Sequence, residues 1–330
     1  VSDAVLTRTP TRRRRRIVDG ILLFDKPLGM SSNKALQHVR WLYAAAKAGH
    51  TGSLDPLATG LLPLCFGQAT KVCGYLLDAD KSYEVVCQFG CRTVTGDREG
   101  EVVETGPADA ARLAGLAQAL DHFRGKIDQI PPMYSALKHE GERLYRLARQ
   151  GKEVVRPARP VTIHELTLIE QAGATAILRI RCSKGTYVRT LVEDIAAALG
   201  TVAHVHDLRR LALGPFKLSQ GAHDMAALQY VADAGDWERL DALLLPLDAA
   251  LHHYPAVTLS EAVAFQMTQG KVVSVPDTLT NGQTVRLYGP DERFLGMGEM
   301  LGDGRCAPKR LMQGVPGQKP RNLLSNGFQG

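Results

Sequence analysis

The apolar positions of this chain fall into short runs that alternate with helically spaced stripes, and a dense polar turn interrupts the first such pair. Residues 20–25 form an apolar run closed by Lys26-Pro27, the pattern of a buried strand and a turn. Ser31-Ser32 supplies an N-cap, and Ala35, Leu36, Val39, Leu42, Tyr43 and Ala46 recur at helical spacing behind it. Residues 61–66 predict a second buried strand, followed by a helix through Val72, Tyr75, Leu76 and Leu77. Residues 81–89 alternate as a strand with one polar face. Residues 92–100 read as a polar loop and 101–104 as a return strand.

Residues 107–123 predict one amphipathic helix with proline at its start, 125–141 an irregular segment, and 142–150 a helix. A strand pair, 161–170 and 174–182, turns at Gly173. The next helix packs Leu191, Val192, Ile195 and Leu199 and closes at Gly200; residues 201–213 return to strand. Residues 223–248 then turn acidic and end in Leu243-Leu244-Leu245-Pro246-Leu247, which sets a domain boundary near 250. Beyond it, short strands separated by Asn281-Gly282, Gly289-Pro290 and Gly302-Asp303-Gly304 predict a small β-rich module. The division expected is a disordered basic arm (1–18), a catalytic-sized domain (19–250), the β-rich module (251–314) and a flexible tail (315–330).

Composition changes this picture little. The 45% hydrophobic and 22% charged content is that of a soluble globular protein. No apolar run approaches the ~18 residues of a membrane span. Asp19 and Asp25 break the only run that could serve as a secretory segment, so a cytoplasmic protein is expected. The net charge of +6 is mostly local: Arg8 and Arg12 to Arg16 against Asp3 give residues 1–16 a charge of +5, leaving +1 for the rest. Six scattered cysteines read as reduced, mostly buried thiols. His204 and His206 alternate on one predicted strand without a third ligand, a poor start for a metal site.

The stretch richest in chemistry is 49–60, Gly-His-Thr-Gly-Ser-Leu-Asp-Pro-Leu-Ala-Thr-Gly, set between the first helix and the second buried strand. Glycine and proline exclude regular structure there. One carboxylate in a rigid elbow suits a nucleophile; Asp55 before Pro56 equally suits a tight turn.

Assembled, the chain resembles the TruB-type family of pseudouridine synthases, the bacterial tRNA pseudouridine-55 synthases. The resemblance runs from Gly20 to Leu311. It is carried by Asp25-Lys26-Pro27, Gly29-Met30-Ser31-Ser32, the 49–60 loop, Tyr83, the 130–138 segment and the run Cys182-Ser183-Lys184-Gly185-Thr186-Tyr187-Val188-Arg189-Thr190, in that order. It implies a mixed α/β (α+β) catalytic domain with a mostly antiparallel central sheet, followed by a PUA-like RNA-binding domain. It implies Asp55 as catalytic nucleophile. Tyr83 becomes an active-site tyrosine that stacks on uracil or takes a proton, and Arg189 the cation that pairs with Asp55 and fixes its orientation. It places His50, Lys26, Tyr187 and the backbone at Leu208 among the residues that bind the substrate base and its neighbours.

No metal or cofactor is implied. The implied partner is the T-arm of tRNA, met without guide RNA, with a tRNA-gripping insertion around 125–160; a monomer with no membrane partner is the default expectation. The basic segment 138–159 (seven Lys or Arg against three acids), Arg179, Arg181, Lys184, Lys309 and Arg310 are its candidate phosphate contacts. Ser53 stands where some members have alanine, and the Arg12–Arg16 run lies outside the shared motifs. Two rival readings are a guide-RNA-dependent synthase of the dyskerin type and a non-catalytic tRNA-binding factor. The segment Asp55-Pro56-Leu57-Ala58-Thr59-Gly60-Leu61-Leu62-Pro63 favours the stand-alone enzyme over the first. Asp55, Tyr83 and Arg189 together argue against the second, since binding alone needs none of them.

Overall fold

The computed structural model describes residues 15–275 and 279–313. Within them, a nine-stranded mixed sheet forms the spine of the larger unit. Its strands lie in the order Gly20–Lys26, Thr59–Phe66, Ala203–Leu213, Lys81–Phe89, Thr175–Cys182, Arg159–Ala172 and Gly125–Gln129, with Ala48–His50 and Phe216–Lys217 paired at the side. Every pairing is antiparallel except that between Thr59–Phe66 and Ala203–Leu213. The apolar alternation of Lys81–Phe89 buries Tyr83, Val85, Cys87 and Phe89 against helices Ser32–Leu42 and Val188–Ala198 on one face.

Helix Ser32–Leu42 begins where expected: Ser31 caps it, its hydroxyl accepting from Lys34 N. It ends four residues before Ala46, because Ala44 takes φ +47° and the chain turns there. The helix expected over 107–123 is broken into Ala110–Leu113 and Leu116–Ala119 with a short 3-10 turn after them. Gly115 sits at the break, and Asp109, not Pro107, caps the first piece. Gly125–Gln129 is not irregular but the outermost strand, pairing with residues 159–163; its polar sequence suits a sheet edge. The helix of the basic segment is shorter than expected, Leu144–Arg149, because Lys138–His139 and Glu142–Arg143 form a tight hairpin ahead of it.

His204 and His206 do not share a face. A bulge between Val205 and Asp207 turns them apart: His204 is buried on the Cys91 carbonyl, while His206 pairs with Asp207 at the surface. The six cysteines are free thiols, four of them buried.

A second sheet of five strands, Ala256–Thr258, Thr284–Tyr288, Phe294–Met300, Arg305–Leu311 and Val273–Ser274, packs helix Glu261–Thr268 over its own core. This smaller unit also shares an apolar cluster with the larger one: Met297, Met312 and Leu251 pack with Ile21, Leu23, Leu61, Val72, Leu76 and Leu213. Arg16, placed by sequence in a disordered arm, belongs to the folded unit. It pairs with Asp241 at 2.5 Å and lies over the Trp237 ring. Arg12 to Arg14 and the tail from 314 onward lie outside the described residues.

Candidate active site

The site forms at the one parallel junction of the large sheet, where Arg209 and Arg210 run beside Thr59 and Gly60. The loop that feeds Thr59 carries Asp55. Its apolar members anchor it: Leu54, Leu57 and Ala58 are buried, as is Thr51. The Ser32 hydroxyl closes a reciprocal pair with the Leu54 backbone, donating to its carbonyl at 2.9 Å and accepting from its N–H at 2.7 Å. Pro56 O accepts from Gly29 N at 2.9 Å and Asp55 O from Ala58 N at 3.1 Å. With its neighbours fixed inward, the Asp55 side chain stays 46% exposed. The loop ends at Gly60, where φ is +98° and an added Cβ would stand 2.3 Å from the Arg210 carbonyl oxygen.

Arg189 opens helix Val188–Ala198, and its side chain is only 7% exposed. Its guanidinium meets Asp55 at 3.0 Å and donates to the carbonyls of Thr95 (2.6 Å) and Tyr134 (2.8 Å). Asp97 stands behind it at 3.9 Å, equally buried, its carboxylate accepting from the Thr95 hydroxyl and the Glu99 amide. One buried cation therefore joins the Asp55 loop, the 92–100 loop and the 130–138 segment.

Tyr83 and Arg210 are direct cross-strand partners, so the guanidinium charge acts on the phenol. Burial nevertheless raises the Tyr83 pKa, outweighing Arg210, so the resting side chain is a neutral phenol. Lys26 is wholly buried, its ammonium bonded to the carbonyls of Met30 (2.6 Å), Pro27 (2.8 Å) and Pro56 (3.4 Å). Burial lowers its pKa to about 8, against the pull of Asp55. Lys26 thus supports the loop from beneath.

His50 ends strand Ala48–His50, with its pKa lowered by burial and then by Arg210. Its Nδ1 is buried without a partner among the described residues. Tyr187 is half-buried, its backbone clasped by the Gln129 amide at 3.0 and 3.3 Å. The Leu208 side chain is buried, and its carbonyl accepts weakly from the Thr59 hydroxyl at 3.5 Å.

The surface cations divide. Arg179, Arg181 and Lys184 already pair with Glu84, Glu165 and Asp78 at 2.7–2.9 Å. Lys309 pairs with Glu299, and with Arg310 lines a separate cleft of about 450 Å³ shared with Lys71, Tyr75 and Tyr254.

Sequence reasoning missed Asp97, Gln129 and Arg210. Arg210 alone left a signal: it lies two residues after buried Leu208, a cation on a core-facing alternation.

Residues 40–188 match the model of the TruB family pseudouridylate synthase N-terminal domain. Residues 189–252 match the tRNA pseudouridylate synthase B C-terminal domain, and residues 255–312 the pseudouridine synthase II TruB C-terminal model. The tRNA pseudouridine synthase B of Pseudomonas putida (strain GB-1) is 55% identical over 302 residues, 92% of this chain and 98% of the relative. That of Pseudomonas aeruginosa (strain UCBPP-PA14) is 53% identical over the same shares. The chain belongs to the TruB family. It is a pseudouridine synthase with the mixed α/β fold and small C-terminal β domain that its sequence implied. Its TruB fold is also similar to a crystal structure of a Cbf5-Nop10-Gar1 complex, at 26% identity and TM-score 0.67 over 87% of this chain and 80% of that one. An H/ACA RNP bound to a substrate RNA containing 2′-deoxyuridine shares the fold at 23% identity and TM-score 0.68, over 89% and 85%. Among the described residues no helix is long and apolar enough to cross a membrane.

Proposed function

We propose that this TruB family member isomerises uridine 55 in the T-arm of tRNA to pseudouridine in the cytoplasm, acting as a monomer without guide RNA. The observation that supports it best is the pairing of a half-exposed Asp55 with a nearly inaccessible Arg189, beside the buried Tyr83 ring. A carboxylate so held is oriented toward the cleft while the cation behind it is shielded from solvent and salt.

The reaction breaks the N1–C1′ bond and forms C5–C1′; the C5 proton leaves and N1 regains one, so the composition is unchanged. Asp55 is the nucleophile that carries the sugar or the base between the two states. The target uridine must leave its stack to reach it. Tyr83 gives the flipped base an apolar ring face, and Tyr187 and the Leu208 backbone complete the pocket. His50, kept neutral by its surroundings, takes a place in the RNA stack, and its unpartnered Nδ1 is free to accept from or donate to a nucleotide. Lys26 acts through the loop, holding Pro56 from below. The hairpin and helix of residues 138–149 form the gripping insertion, and the small C-terminal unit, residues 251–314, extends the RNA surface. The tRNA substrate is supported by the relatives' names and by 52–55% identity to them.

Purified protein given a T-arm stem-loop with C5-tritiated uridine should release one tritium per stem-loop, with no guide RNA or metal added. Asp55→Asn should bind the same RNA and release none. A wild-type protein that binds the stem-loop and releases no tritium would overturn the reading in favour of a binding factor.

A further inference from the structure

We propose that Arg210 is a positioning residue that sets the Asp55 loop and the Tyr83 ring relative to each other. This rests on the assignment of Asp55 as nucleophile. The side chain is 1% exposed, the largest side chain so deeply buried among the described residues. It lies on the strand that separates the two halves of the site, opposite Tyr83 on one side and Gly60 on the other.

Its guanidinium is divided between those halves. Nε donates to the Leu61 carbonyl at 2.6 Å, and Nη2 reaches the Gly52 carbonyl at 3.3 Å. The first bond fixes the exit of the nucleophile loop and the second its entrance, with Asp55 between them. On the other side Tyr83 is the direct cross-strand partner of Arg210, and its phenol feels the charge of the same guanidinium. Burying a guanidinium on two carbonyls, with no carboxylate paired to it among the described residues, is costly. An apolar residue would fill that volume more cheaply, so the cation is retained for the geometry it enforces. A planar fork can serve both carbonyls in fixed directions while lying against the phenol; an ammonium cannot.

The backbone of Arg210 makes the same point from its other side. Gly60 approaches it so closely that a Cβ would stand 2.3 Å from its carbonyl oxygen and 2.8 Å from its nitrogen. Side chain and main chain of one residue therefore both meet the loop that carries the nucleophile. A shift of about 1 Å at such an approach costs on the order of 100-fold in rate when the reacting groups are otherwise unchanged. Arg210 is buried and bonds only the ends of the loop, so it presents no group to the RNA and most of the substrate affinity should be spared.

The test is single-turnover tritium release by Arg210→Met and Arg210→Lys, with stem-loop Kd and thermal melting measured on the same preparations. The expected result is a folded Arg210→Met with Kd within about threefold of wild type and a rate constant down by about 100-fold. Arg210→Lys should be slowed by about tenfold or more, since it keeps the charge and loses the fork. Millimolar methylguanidinium should restore part of the rate to Arg210→Gly and none to wild type. A folded Arg210→Met with a rate within threefold of wild type overturns the proposal, as does a loss that lies wholly in Kd. Should Arg210→Met not fold, an Arg210→Lys rate within threefold of wild type overturns it instead. Tritium release by Asp55→Asn would refute the nucleophile assignment and an inactive wild type the proposed activity, results distinct from all of these.

Discussion

Arg189→Met keeps most of the side chain's volume and removes the guanidinium, so its consequences can be worked out partner by partner. Asp97 is left a buried carboxylate with its cation gone. Stripping one member from a buried pair costs about 3–5 kcal/mol. The 3.9 Å separation and the bonds that Asp97 keeps from Thr95 and Glu99 put this case at the lower end, about 3 kcal/mol. The carbonyls of Thr95 and Tyr134 lose their donors, but both residues are half-buried and water can replace them, adding about 1 kcal/mol together. The bond to Asp55 adds at most about 1 kcal/mol, because that carboxylate is 46% exposed. The sum is about 4 kcal/mol, most of it traceable to Asp97. It follows that Arg189→Met with Asp97→Asn should regain about 2 kcal/mol over the single variant, since the stranded charge is gone. Urea unfolding of wild type, both singles and the double variant measures each figure. Should Arg189→Met lie within about 1 kcal/mol of wild type, or the double variant be no more stable than it, the assignment of the buried cost to Asp97 is wrong.

Gly60→Ala should destabilise by about 3 kcal/mol and slow tritium release, because its Cβ meets the Arg210 backbone at a φ of +98°. Lys26 makes stability depend on pH. Its folded pKa, about 8, lies below the ordinary value near 10.5, so above pH 8 the unfolded chain binds more protons and stability rises toward pH 10.5. Melting curves over that range should show this rise in wild type and lose it in Lys26→Met; a parallel rise in both would refute the attribution. Replacing Arg146 and Arg149 with glutamine should leave the single-turnover rate near wild type. It should also lower the salt dependence of stem-loop binding by about one counterion for each phosphate deprived of its cation, read from the slope of log Kd against log salt.

The sequence and the structure agree where local pattern decides. The alternation of residues 81–89 and the Ser31 cap needed only near neighbours, and both stand as read. The prolines and glycines around Asp55 announced an ordered elbow for the same reason. What remained hidden depends on register. That Arg210 faces Tyr83 is set by which strands pair and where the bulges fall, and neither is written in a spacing. Asp97 sits in a polar loop like any other, and becomes a partner of Arg189 only once the loop folds over the helix. Gly125–Gln129 failed to look like a strand because an edge strand needs few apolar residues. The Tyr83 pKa moved away from the range useful to a base because burial, a property of the assembled core, outweighed its cationic neighbour.

The apolar cluster that joins the two units bears on how an RNA is measured. Hinge motion between them would bring Met297, Met312 and Leu251 into water together with the strand residues they cover. That exposure opposes hinge motion, so under the proposed function the Asp55 loop and the small unit would keep a constant span, and the deformation needed to seat a nucleotide would fall on the RNA. An RNA too stiff to yield would then be a poor substrate whatever its sequence.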